Sequence, residues 1–151
     1  CRFFRQFVLM EKHHQASQTA FLKIKINPLG ESFAMETALP QLESARILLR
    51  LANQEDVPAI LDYYSKNRLH LTPFEPTKPS YFYTKTYWYE EIKNRLNEFR
   101  DDISLKLFLF KKENPKAIIG TINFSNFIRG TFQACTLGYG LAEAEQGKGY
   151  M

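Results

Sequence analysis

From residue 43 onward the apolar positions fall into blocks with different spacing. Residues 46–51, Arg-Ile-Leu-Leu-Arg-Leu, are a short apolar run edged by arginines and predict a strand. Asn53-Gln-Glu-Asp56 follows, an Asx residue with an acid three positions on. That is a capping box, and its acids sit at the positive end of the helix dipole. Val57, Ile60, Leu61 and Tyr64 then recur at helical spacing and line one face, with Pro58 in the first turn, where its missing N–H does no harm. Residues 70–83, HLTPFEPTKPSYFY, carry Pro73, Pro76 and Pro79 and predict an aromatic loop. A second helix is expected from about Thr84 to Arg100, with Trp88, Ile92, Leu96 and Phe99 on one stripe and Glu91 and Arg95 as an i, i+4 pair, ended by Asp101-Asp102.

Past that point the period becomes two. Residues 104–111 alternate around Leu105, Leu107 and Leu109, 112–116 read as a turn, 117–127 as a second strand, Arg129-Gly130 as a turn, and 132–142 as a third strand. Links this short join antiparallel neighbours, so the three form a meander. The order is β-α-α-β-β-β, an α+β pattern with a mostly antiparallel sheet. The first 34 residues have no sustained period, and Met35 opens a stretch that reads as an independent start. Residues 1–34 are therefore expected to be an N-terminal extension and 35–151 the folded unit.

Composition changes this picture in three places. A chain of 151 residues, 44% hydrophobic and 15% aromatic, buries one core rather than two. The net charge of +4 invites a nucleic-acid reading, but the excess sits mainly at the front, where Arg2, Arg5, Lys12, Lys23 and Lys25 face only Glu11 and Glu31; direct DNA binding is not expected of the body. Cys1 and Cys135 make no disulfide framework, no apolar run is long enough to span a membrane, and the start lacks a cleavage site, which together predict a cytoplasmic protein.

The chemistry lies at the end, in Glu143-Ala-Glu-Gln-Gly-Lys-Gly-Tyr-Met151. A strand running into Gln146-Gly147-Lys148-Gly149 has the form of an anion cradle: glycines let the backbone turn, and free N–H groups at a helix start point at a phosphate. An ordinary turn produces the same spacing, and the pattern is neither a dinucleotide fingerprint nor a P-loop. Elsewhere the residues are plainer. His13, His14 and His70 have no metal-ligand spacing, so no metal site is expected. Cys135 reads as a small core residue. Asn123, Ser125 and Asn126 are candidates for a groove wall, with sheet hydrogen bonding an equal alternative.

Taken with the preceding elements, the stretches "PFEP" at 73–76, "IIGTINFSNFIRGTFQACTLGYG" at 118–140 and "QGKGYM" at 146–151 resemble the GNAT family of acetyl-CoA-dependent N-acetyltransferases, and within it the branch acting on the N-terminal alanine of ribosomal proteins. The resemblance covers roughly residues 43–151. It implies the N-terminal part of an α/β/α sandwich-type GNAT fold, ending as the helix after the glycine loop begins, so that this piece by itself is expected to expose a sheet edge and to be inactive. It implies acetyl-CoA as cosubstrate. The pyrophosphate would be held by the amides of Gly147, Lys148, Gly149, Tyr150 and Met151, with Gln146 a further cofactor-binding residue, and pantetheine would run beside the backbone of Leu137, Tyr139 and Leu141. Ala144 falls where the family carries Arg or Gln. A base is needed to take the amine's proton, and Glu75 and Glu143 are the candidates, each equally readable as a surface acid. The implied acceptor is a ribosomal protein N-terminus; a small amine such as a polyamine, or a non-catalytic role in binding RNA or ribosomes, are the alternatives.

Overall fold

The fold is seen in a computed structural model that describes residues 7–8, 39–129, 131 and 133–150. Strands β1 (Phe7–Val8), β2 (Gln41–Glu43), β3 (Ile47–Arg50), β4 (Leu105–Lys111), β5 (Asn114–Ile128) and β6 (Ala134–Leu141) form one sheet in the order β1-β6-β5-β4-β3-β2, each pair antiparallel. Helices α1 (Val57–Lys66), α2 (Arg68–Leu71) and α3 (Lys85–Arg100) lie between β3 and β4 in the chain. The expected β-α-α-β-β-β order and the central meander are present, with β1 and β2 added at the two edges.

The predicted helix start is built as its sequence suggests. Asn53 Oδ1 accepts from the Glu55 N–H at 2.9 Å, and the Asp56 carboxylate accepts from the Asn53 N–H at 2.8 Å. A 3-10 turn over Gln54–Asp56 precedes α1, and Pro58 occupies its first turn. Val57, Ile60 and Tyr64 are buried as expected, joined by Tyr63, while Leu61 is only half-buried. The proline loop differs in part from its reading: chain continues helically through α2, and Ser80–Tyr83 form a 3-10 turn before Thr84 caps α3. On α3, Trp88 and Ile92 are buried, whereas Leu96 and Phe99 are half-buried at the helix margin.

The meander also departs from its predicted alternation. Leu107, Phe108, Leu109 and Phe110 are all buried, because β4 is a central strand covered on both faces. Phe108, Phe110 and Ile118 pack with α1, Phe82 and the α3 residues Trp88 and Ile92, while Leu109, Ile119, Leu141 and Ile47 form a second cluster. Tyr64 stacks on Trp88 at 5.4 Å and meets Phe82 edge-on at 4.8 Å. Burying each of these large side chains contributes roughly 2–3 kcal/mol before entropy is counted. The turn at 112–116 is tighter than read, since β5 already begins at Asn114.

Candidate functional site: a glycine loop and an adjoining cavity

At the end of β6 the chain makes a 3-10 turn over Glu143–Glu145 and enters the glycine loop. Gly147 and Gly149 adopt φ of +71° and +68°, a left-handed conformation that side-chain-bearing residues avoid. The loop is held from below by charged groups from distant strands. Arg46 donates from Nη1 to the Lys148 carbonyl at 3.0 Å and from Nη2 to the Gly149 carbonyl at 2.8 Å, and its guanidinium lies 4.6 Å from the centre of the Tyr150 ring. Lys111 Nζ meets Glu145 Oε1 at 2.8 Å, and Lys148 Nζ meets Glu145 Oε2 at 3.0 Å. Burial alone would raise the Glu145 carboxyl, but the hydrogen bonds from Lys111 and Lys148 outweigh it and hold the group below its ordinary range.

The start of the loop is tied to the helical layer. The Glu143 N–H donates to Asn67 Oδ1 at 3.0 Å, and Gln146 Nε2 lies 2.6 Å from His70 Nε2. Two loop carbonyls are thus committed to Arg46, whereas the N–H groups of Gly147, Lys148, Gly149 and Tyr150 donate to no acceptor among the described residues. Donors left free beside anchored carbonyls suit a polyanion such as a pyrophosphate. Gln146 spends its side chain on His70, and Ala144 is exposed. Met151 lies outside the described residues.

The middle of β6 borders a cavity of about 160 Å³, lined by Gly138 and Tyr139 of β6, Thr121 and Asn123 of β5, Lys106 of β4, Arg95 of α3, and Glu75, Pro76 and Lys78 of the proline loop. Glu75 is therefore set inward, its side chain 13% exposed and paired with Lys78 at 3.3 Å. Glu143, the other candidate acid, is exposed on the turn after β6 and does not line this cavity. Tyr139 lies on the cavity wall, and Leu141 is buried near the loop. The expected open edge at Leu137 is not open: β1 pairs Phe7 with Leu137 and Val8 with Thr136. The edge beyond that pairing, from Gly138 to Leu141, runs from the cavity to the loop.

Two residues of this site escaped the sequence reading. Arg46 appeared only as a strand-edge charge. Lys106 was hidden by an alternation read through the leucines; tracing Lys106, Phe108 and Phe110 at the same period would have put a lysine on a buried face. Lys106 Nζ donates to the Tyr64 hydroxyl at 3.2 Å and lies 5.7–5.8 Å from the rings of Tyr64, Trp88 and Phe108. Burial and then the Arg95 guanidinium push its ammonium down to about 8, against the pull of Glu75, Glu91 and Glu98. Burial likewise drives the Tyr63 and Tyr64 phenols well above their ordinary value, so both remain protonated. Cys135 is half-buried in β6 and unbridged.

The fold is shared with known proteins. The model of the GNAT acetyltransferase domain matches residues 46–151. Over 111 residues the chain is 37% identical to the [ribosomal protein uS5]-alanine N-acetyltransferase of Escherichia coli K12, covering 74% of this chain and 57% of that enzyme. It spans, that is, little more than half the length of this relative. A solved ribosomal-protein-S5-alanine acetyltransferase from Vibrio fischeri superposes with a TM-score of 0.65 at 29% identity, over 74% of this chain and 61% of that one. RimJ of Mycobacterium smegmatis, solved with CoA-disulfide, has the same fold at a TM-score of 0.58 and 18% identity, over 72% of this chain and 53% of its own. With the domain model matched from β3 through the glycine loop, the chain belongs to the GNAT acetyltransferase family.

Proposed function

We propose that the protein is an acetyl-CoA-dependent N-acetyltransferase whose acceptor is the N-terminal alanine amine of a protein, a ribosomal protein in particular. The observation that carries this is the glycine loop: the Lys148 and Gly149 carbonyls are anchored by Arg46 while the amides of Gly147, Lys148, Gly149 and Tyr150, with no acceptor among the described residues, are available for an anion. The named activity of the E. coli relative supports the choice of acceptor. A ribosomal acceptor puts the enzyme in the cytoplasm, in keeping with the absence, among the described residues, of any helix long and apolar enough to cross a membrane.

Bound acetyl-CoA supplies the thioester. The loop amides hold its pyrophosphate, and the edge of β6 around Tyr139 and Leu141 aligns its pantetheine arm toward the cavity. A backbone N–H there polarises the thioester carbonyl, worth about 3 kcal/mol in comparable oxyanion sites. The acceptor amine attacks that carbon, the C–S bond breaks, and the amine's proton passes to the Glu75 carboxylate, directly or through water. The thiolate of CoA leaves and is protonated from solvent.

Two measurements on the intact protein test this. Isothermal titration with acetyl-CoA is expected to show one site, and mass spectrometry of an alanine-starting ribosomal peptide is expected to show one added acetyl group at the α-amine. Binding without transfer to the peptide, but with transfer to spermidine, would instead favour a small-amine enzyme. No binding would remove both enzyme readings and leave a non-catalytic RNA or ribosome-binding module.

A further inference from the structure

The cavity beside β6 has a polar arrangement that bears on which amines it accepts. The strand registers pair Lys106 with Asn123 and Asn123 with Gly138, so the three lie in one row across β4, β5 and β6. All three line the cavity, with Glu75 across from them on the proline loop. Adjacent members of such a row stand about 4.8 Å apart, the spacing between neighbouring strands.

Two members of the row have unused hydrogen-bonding capacity. Asn123 Oδ1 is buried and has no hydrogen-bond partner among the described residues. A lysine ammonium carries three donors, and Lys106 commits one of them, to the Tyr64 hydroxyl. The nearest carboxylates are engaged with other cations: Glu75 with Lys78, and Glu91 and Glu98 with Arg95. A buried acceptor without a donor costs stability, a half-buried ammonium with two donors to spare gains from a further acceptor, and one ligand can supply both.

We infer that Lys106 and Asn123 select a peptidyl α-amine as acceptor: Asn123 Oδ1 takes an N–H of the amine beside Gly138, and Lys106 donates to the first main-chain carbonyl oxygen, one strand further in. This rests on the acetyltransferase reading and narrows it. An amine nitrogen and the carbonyl oxygen of the same residue are separated by less than one strand spacing plus two hydrogen bonds, so both contacts are reached at once. A polyamine has no carbonyl for Lys106 and brings a second cation toward it, which is repelled. A volume of about 160 Å³ is below the usual range for drug-sized ligands and fits a small first residue. Lys106 is on this account a specificity residue that touches the acceptor and takes no part in the bond changes.

The test uses the intact protein with three acceptors: an alanine-starting peptide, the same peptide with its first carbonyl reduced to a methylene, and spermidine. Wild type is expected to favour the normal peptide over the reduced one by about tenfold to a hundredfold in kcat/KM, the range for a hydrogen bond to a charged group. In Lys106→Met that preference is expected to collapse through a higher KM for the normal peptide, with acetyl-CoA affinity by titration unchanged, and Lys106→Arg is expected to restore most of it. Equal use of the two peptides by wild type overturns the inference even if Lys106→Met fails to fold. So does a folded Lys106→Met whose loss is equal on all acceptors. Failure of wild type to acetylate any of the three overturns the acetyltransferase reading itself, and this inference with it.

Discussion

Arg46 and Gly149, 103 positions apart in the chain, are joined by a hydrogen bond of 2.8 Å from the guanidinium to the glycine carbonyl, with Lys148 held alongside at 3.0 Å. The planar fork of arginine takes both carbonyls at once, which a lysine does not. Arg46→Ala is expected to weaken acetyl-CoA binding about tenfold by isothermal titration while moving the melting temperature by only a few degrees, and Arg46→Lys to recover little. A variant with unchanged affinity would dissociate the loop's shape from this contact.

Gly149→Ala probes the same loop while leaving both Arg46 hydrogen bonds in place. A Cβ at this position meets nothing closer than Arg46 Nη2 at 3.6 Å, an ordinary contact, but the φ of +68° disfavours any L side chain by about 1–2 kcal/mol. The expected result is a several-fold rise in the acetyl-CoA dissociation constant. Gly147→Ala, with φ of +71° and open space around it, should act alike.

Glu75 and Glu143 are separated by burial and position, and their variants should differ accordingly. Glu75→Gln is expected to lower kcat about a hundredfold or more with acetyl-CoA affinity preserved, the range for loss of a general base. Glu143→Gln, on the exposed turn with its backbone N–H still held by Asn67, should leave kcat within a factor of two or so. Single-turnover measurements on saturating peptide would check both.

Stability depends on the hinge between β3 and α1. Arg50 meets Asp56 through two bonds of 2.6 and 2.8 Å and lies 4.1 Å above the Phe110 ring, while the same carboxylate closes the capping box on Asn53. Asp56→Ala removes the counter-charge and the cap together and is expected to cost about 2–4 kcal/mol in urea denaturation. Asp56→Asn, which keeps an acceptor for the Asn53 N–H, should cost less.

The Lys106 ammonium, lowered to about 8 from 10.5, has a defined signature in stability against pH. Between those values the unfolded chain binds a proton that the folded chain has released, so this group makes stability rise with pH from about 8 toward 10.5. The groups facing it are Tyr64 of α1, Arg95, Glu91 and Glu98 of α3, and Glu75 of the proline loop. Lys106→Met is expected to be more stable than wild type at pH 7, where the half-buried ammonium is disfavoured by desolvation, and the gap should shrink as pH rises through that window. Chemical denaturation of both proteins at pH 7, 8.5 and 10 would check it.

What was legible in the sequence was what neighbouring residues decide among themselves. The capping box at Asn53 and Asp56, the α1 face of Val57, Ile60 and Tyr64, and the glycine loop follow from spacings of a few residues, and each appears where it was read. The two strands added at the sheet edges were not legible, because Gln41–Glu43 is too short to carry a period and Phe7–Val8 gains its strand character from β6. Nor was the double burial of β4, since alternation reports one covered face and Phe108 and Phe110 look surplus until α1 and α3 lie over them.

The sequence by itself determined the order of elements from β3 to β6, the antiparallel meander and the turn chemistry at Gly147 and Gly149, because these rest on local backbone preference and on which short links are sterically open. Only the tertiary structure decided that Arg46 carries the glycine loop, that Glu75 and not Glu143 enters the cavity, and that Lys106 sits half-buried among the rings of Tyr64, Trp88 and Phe108. Each depends on charges and carbonyls brought together from strands far apart in the chain, where solvent is excluded and an electrostatic contact is strong enough to shape a site.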